Sequence, residues 1–278
     1  MIDADKLSNA VLVVAHPDDE ILWFSAVVAQ VRTRVICYLD VPLQDAWIRG
    51  RRAAQSAFPL QPTEFLGITE SVAFNRANWA DPQPAEFGLH LDALAADNSV
   101  LPGFSARRYR DNYSLLIERL RPRLSGASVV FTHNPWGEYG HEEHVQVYRA
   151  VSTLRRELGF ELWFDTYASD RSAVLMARTV SRTQFACESL PTRYDIAQPI
   201  EALYRDTGCW TWPYDDYQWF ETETFALDPI ELPEHRQAAS RMPINFISVD
   251  FAAQQEPASD LLTRIRRRLR RTLSLRAP

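Results

Sequence analysis

The sequence contains no uninterrupted apolar run near the ~20 residues that a membrane-spanning helix requires. Its first ten residues, MIDADKLSNA, are acidic where a secretory leader is basic, and together these absences predict a cytoplasmic chain. Cysteine is scarce: Cys37, Cys187 and Cys209 form neither a CxxC pair nor an even set, which argues against a thiolate zinc knot and against an oxidising compartment. Buried, reduced thiols are expected. Lysine is almost absent, Lys6 being the single one, so the positive charge is arginine; we attribute this to coding bias. The HExxH spacing of the zincins is missing, as are internal repeats and low-complexity stretches.

What is present is an ordinary globular composition, 46% hydrophobic and 24% charged over 278 residues, enough for one main core with excursions. The formal charge is −6, yet seven arginines crowd Arg264 to Arg276 without an acid, which leaves −13 on the remainder. Such a surface argues against nucleic acid as a partner.

Residues 11–15, VLVVA, are apolar on both faces and suit a parallel strand covered by helices on either side. They end at HPDDE, and ILWFSAVVAQVR (21–32) then reads as a helix, so the acidic cluster lies in a strand-to-helix turn. The alternation continues with VICYLDV (35–41), AWIRGRRAAQSAF (46–58), TEFLGI (63–68), a helix from DNYSLLIERLRPR, and ASVVFTH (127–133). EEHVQVYRAVSTLRREL gives a further helix, ELWFDTY a strand, and residues 200–207 a helix. This order predicts an α/β fold: a Rossmann-like, doubly wound, mostly parallel sheet with helices on both faces and irregular insertions. We expect one domain over residues 1–260, with an insertion at about 71–108 that can act as a lid and an aromatic-rich segment at 209–225, followed by a basic amphipathic tail, 261–278.

Two strand ends carry histidine-rich turns: AHPDDE after the first strand, and THNPWGEYGHEEH, residues 132–144, after the strand ending at His133. In a parallel sheet such ends open on the same edge, where open α/β sheets bind ligands. His141 and His144, three apart at a helix start, share nearly one face. Together with an imidazole and a carboxylate from the first turn they can hold one divalent ion, and zinc fits nitrogen and oxygen donors with one position left to water. The competing structural reading is that Asp18 or Asp19 caps the following helix and that Glu142 and Glu143 favour a helix N-terminus. Capping accounts for one acid but not for HPDDE and HxxH at the ends of two strands.

In these turns the sequence resembles the PIG-L or LmbE-like de-N-acetylases, whose pattern pairs a (P/A)HPDDE turn with a later HxxH turn. The layout is similar over roughly residues 10–170, with a weaker echo at ETETF, where members often carry Glu-x-Phe. The resemblance implies His16, Asp19 and His144 as ligands of zinc, or of ferrous iron. It implies Asp18 as the general base and His141 as the residue that stabilises or protonates the tetrahedral intermediate. It further implies removal of an acetyl group from an N-acetylated sugar or glycoconjugate of the N-acetylglucosamine type. Alternatives are an amidase acting on another amide, such as a thiol-sugar conjugate, and a sugar- or partner-binding protein without turnover.

Glu20 is expected to hold a ligand from behind or to cap the helix, and Glu20 or Glu143 to receive the second N–H of a ligating histidine. Glu143 stands where members often carry Asp, and Arg52 where they carry the acid of an Arg-x-x-Glu helix. Arg49 is the candidate substrate arginine, a solvated helix face being the competing reading. Trp136 and Tyr139, inside the second turn, are candidate walls of the site. CWTWPYDDYQWFETETF, with Trp212 as the candidate contact, can stack on sugar rings or pack the core. The tail LLTRIRRRLRRTLSLR can lie on an anionic membrane surface, as a lipid-linked substrate would suit, or remain a solvated tail.

Overall fold

AVLVV, residues 10–14, is buried at every position, as an interior strand flanked on both faces must be. In a computed structural model that describes residues 1–92, 102–181, 185–212, 217–229 and 242–249, it is the centre of the fold. The strands are β1 (Ala10–Val14), β2 (Thr33–Asp40), β3 (Thr63–Thr69), β4 (Pro84–Ala85), β5 (Gly88–Leu89), β6 (Val129–Thr132), β7 (Glu161–Asp165), β8 (Tyr167–Ser169), β9 (Ala186–Pro191), β10 (Thr222–Leu227) and β11 (Asn245–Ile247). The helices are α1 (Ala4–Asn9), α2 (Asp19–Leu22), α3 (Ser25–Val28), α4 (Asp45–Ala57), α5 (Ala106–Leu124), α6 (Glu142–Leu158), α7 (Ala173–Val180) and α8 (Tyr194–Asp206).

Seven strands form one sheet in the order β3-β2-β1-β6-β7-β10-β9. From β3 to β7 all pairings are parallel; β10 runs antiparallel to both β7 and β9. The predicted mostly parallel sheet is therefore present. Strand order reverses between β1 and β6, and the loops that leave these two strands part at that point, opening a crevice.

Alternation along β1 builds two cores. Val11, Val13 and Ala15 pack with Leu116 and Leu120 of α5 and Val147, Val151 and Leu154 of α6. Ala10, Leu12 and Val14 pack with Leu7 of α1 and Val27 and Val28 of α3 on the other face. Each of these valines and leucines contributes roughly 1.5–3 kcal/mol by leaving water.

Three elements differ from expectation for local reasons. The helix expected over 21–32 is two short helices, because Glu223 accepts hydrogen bonds from the N–H groups of Ser25 and Ala26 and so starts α3 afresh. The carbonyls released at Ile21 and Leu22 are taken by Trp219 Nε1 and Tyr217 Oη. The strand expected over 161–167 divides at Thr166, whose N–H bonds Thr224, and β8 joins β11 in a separate pair. Pro199 hid the first turns of α8 from pattern reading.

The first part of the 71–108 insertion is packed down. Glu142 Oε1 accepts from the N–H groups of Arg76 and Ala77 and from Trp79 Nε1. The β4–β5 hairpin lies so close to α5 that a Cβ on Gly88, at φ +126, would stand 2.3 Å from Tyr109 Oη. Residues 93–101 and the tail 261–278 lie outside the described residues. Among the described residues no helix is long and apolar enough to cross a membrane.

Candidate metal centre and active site

The crevice brings the two turns together. His16 Nδ1 lies 3.2 Å from His144 Nε2, and Asp19 presents Oδ2 at 3.3 Å to the first and Oδ1 at 3.4 Å to the second. Donors set about 2.05 Å from one cation at tetrahedral angles stand about 3.3 Å apart, so these atoms have the separation a shared ion requires.

The rear contacts test that fit. His16 Nε2 faces Glu143 Oε2 at 3.2 Å, and His144 Nδ1 faces Glu138 Oε2 at 2.5 Å. With each rear nitrogen giving its hydrogen to a carboxylate, the two facing nitrogens are lone pairs 3.2 Å apart, an arrangement that a cation between them resolves. Without one, a proton does the same work. Burial alone lowers His16, but Glu70, Asp19 and Glu143 outweigh it and push the imidazole up to about 10.

Asp19 is held by the N–H of His16 and by Trp23 Nε1. Burial works against its charge, but His144, His133 and His16 hold it well below the usual carboxylate range. Asp18, its neighbour, points elsewhere. At φ 101 it occupies the left-handed region, and its Oδ2 accepts from the N–H (3.1 Å) and the Oγ1–H (2.6 Å) of Thr211. Asp18 is the N-cap residue of α2 but makes no capping hydrogen bond, so capping does not explain it. Burial, and then the charge of Asp19, raise it to about 7 in spite of the Thr211 bonds.

Glu20 turns away from the cluster, accepting from Asp18 N–H and Tyr204 Oη; burial raises it to about 8. It braces the turn rather than a ligand. Of the two candidates for the rear contact, Glu143 fills that place on His16, and its other oxygen takes the N–H and hydroxyl of Ser71.

Sequence reasoning missed Glu138, which carries the contact to His144. It sits at φ 47 inside NPWGEYG and bridges the Nδ1 atoms of His133 and His144. His133 Nε2 accepts the N–H of Ala15, which ties the second turn to the end of β1. The one available signal was a lone carboxylate between two turn glycines. Gly137 is required there: at φ +70, a Cβ would stand 2.6 Å from His141 O.

His141 is the N-cap of α6, and its Nδ1 accepts the N–H of Glu143. That bond leaves Nε2–H as the donor of a neutral ring. Burial and the imidazoles of His144 and His16 hold it well below the usual histidine value.

The remaining candidates divide. Tyr139 and Trp212 stand at the cluster, ring centroids 5.5 Å apart, with Tyr139 5.8 Å from His141; Phe74, which the sequence reading did not single out, stacks on His141 at 5.0 Å. Trp136, expected as a wall, is wholly buried in the core and donates to Tyr167 O. Arg49 is exposed on α4; the buried arginine is Arg51, two residues on, paired to Glu70, whose carboxylate stands 3.8 Å from His16 Nε2. Within the aromatic segment Tyr217 and Trp219 serve α2, and Tyr214, Asp215 and Asp216 lie outside the described residues.

Compared with known families, residues 11–154, more than half of the chain, match the model of the GlcNAc-PI de-N-acetylases, PIG-L. The chain belongs to the PIG-L family. No curated protein matches it. Among solved structures, this PIG-L member is similar to the zinc-inhibited form of the teicoplanin deacetylase Orf2, at 13% identity and a TM-score of 0.48 over 78% of this chain and 97% of that one. It is similar to the A40926 pseudoaglycone deacetylase Dbv21, at 14% identity and 0.46 over 78% and 96%. The conserved protein TT1542 from Thermus thermophilus follows at 18% identity and 0.38 over 70% and 78%.

Proposed function

We propose that this PIG-L protein is a divalent-metal-dependent N-deacetylase of an acetylated amino sugar or its conjugate. The observation that carries the reading is the facing pair of imidazole nitrogens with Asp19 beside them, each imidazole backed by its own carboxylate. His16, Asp19 and His144 would hold the cation, zinc before ferrous iron on donor type. Bound there, it would supply a water of lowered pKa and a Lewis acid for the amide carbonyl.

The chain's own residues do the rest. Asp18 accepts the proton of the attacking water through Oδ1, since Oδ2 is engaged by Thr211. His141 donates Nε2–H to the carbonyl oxygen as negative charge gathers on it, a contact often worth about 3 kcal/mol. The proton taken by Asp18 is then the one passed to the departing amine. Phe74, Tyr139 and Trp212 form the rim, where the apolar face of a sugar ring can stack.

The test is acetate release from a panel of N-acetylglucosamine derivatives, free, nucleotide-linked and lipid-linked, alongside metal analysis. The expected result is near-stoichiometric divalent metal and acetate from at least one derivative, with Trp212→Ala raising KM about tenfold, as the loss of one ring contact implies. Bound metal with no acetate from any derivative would defeat the deacetylase reading.

A further inference from the structure

We propose that Thr211 is a positioning residue for Asp18, fixing which of its carboxylate oxygens meets the water; this rests on the reading of Asp18 as the proton acceptor. Two donors from one residue converge on Oδ2, the N–H at 3.1 Å and the hydroxyl at 2.6 Å, and so lock the rotation of the carboxylate. Among the described residues no hydrogen-bond donor reaches Oδ1. The backbone of Asp18, left-handed at φ 101, is itself tied by Glu20 Oε2, which accepts its N–H.

A closed circuit places Thr211. Glu20 Oε1 accepts from Tyr204 Oη; Tyr204 O accepts the N–H groups of Cys209 and Trp210; and Thr211, the next residue, returns to Asp18. The end of α8 is thus a bracket whose two arms grip the HPDDE turn at Glu20 and at Asp18. The same short stretch carries Trp212 to the rim beside Tyr139, so base alignment and substrate contact sit on neighbouring residues.

Thr211→Val keeps the shape and the N–H but deletes the hydroxyl, whereas Thr211→Ser keeps the hydroxyl. The probe is acetohydroxamate on zinc-loaded protein, followed by calorimetric titration, because its hydroxyl must be accepted by the oxygen that would take the water's proton. Thr211→Val should weaken binding about ten- to a hundredfold, the usual effect of one buried hydrogen bond to a charged group. Zinc content should stay unchanged, and Thr211→Ser should bind within about twofold of the parent. Thr211→Ala replaces Val as the hydroxyl-free variant should Val not fold. Parent-like binding by the hydroxyl-free variant, with Asp18→Asn weakened, overturns the positioning role and leaves the Asp18 reading standing. Parent-like binding by Asp18→Asn overturns that reading, and a parent that takes up no zinc overturns the cluster as a metal centre.

Discussion

Two adjacent aspartates with opposite environments make the sharpest residue-level contrast. Asp19 lies among imidazoles and is kept ionised, whereas Asp18 is buried with two donors on one oxygen and lifted to about 7. Asp19→Ala should therefore abolish metal retention, while Asp18→Ala should keep metal and lose at least about a hundredfold in turnover, as removal of a general base does. Metal analysis beside kinetics separates the two, and near-normal turnover in Asp18→Ala would remove Asp18 as the base. Glu138→Gln should cost about 10–100-fold in zinc affinity, the usual effect of removing a carboxylate behind a ligating histidine. A chelator-competition titration reads this directly, and an unchanged constant would show that the bridge to His133 and His144 does not tune the ligand.

At the scale of elements, the broken helix after HPDDE depends on a distant strand. Glu223 holds the start of α3 with both oxygens, and burial, outweighing the Ser25 and Ala26 bonds, raises it to about 7. Unfolded, it titrates near 4.5, so between those values the native state binds more protons and stability falls as pH rises. The loss should approach about 3 kcal/mol across the window, at ~1.4 kcal/mol for each pH unit between the folded and unfolded values. Urea unfolding of the parent against Glu223→Gln, from about pH 4.5 to about pH 8, isolates this slope, and a flat difference curve would refute it.

The same elements show what the sequence disclosed. β1, β2, β6 and α6 were legible because period and burial agree in them, and AHPDDE and HEEH were legible because their residue types have few other uses side by side. Glu138 and Thr211 were not, because each matters through a partner that the chain reaches only after folding: His144 round a tight turn, and Asp18 across 193 positions. Arg49 and Trp136 misled for the converse reason, since their motifs were near the site but α4 turns Arg49 outward and the core claims Trp136.

For the molecule as a whole, the crevice gathers Asp19, Glu70, Glu138 and Glu143 around the histidines, with Arg51 on Glu70. A cation there would relieve mutual repulsion and would bind only the folded chain. Chelation should lower the melting temperature and zinc should restore it, with up to ~4 kcal/mol of stabilisation when free zinc is a thousandfold above Kd. Scanning calorimetry at several zinc concentrations checks this, and a melting temperature indifferent to zinc would mean that the cluster holds none.

The residues that would hold the cation all precede residue 145, whereas the hydroxyl on Asp18 belongs to residue 211 and the carboxylate that starts α3 to residue 223. A chain leaving the ribosome thus presents the two histidine turns well before the residue that holds Asp18. Synthesis order therefore runs opposite to assembly order, since the HPDDE turn is complete only once the last quarter of the chain has wrapped back over the beginning.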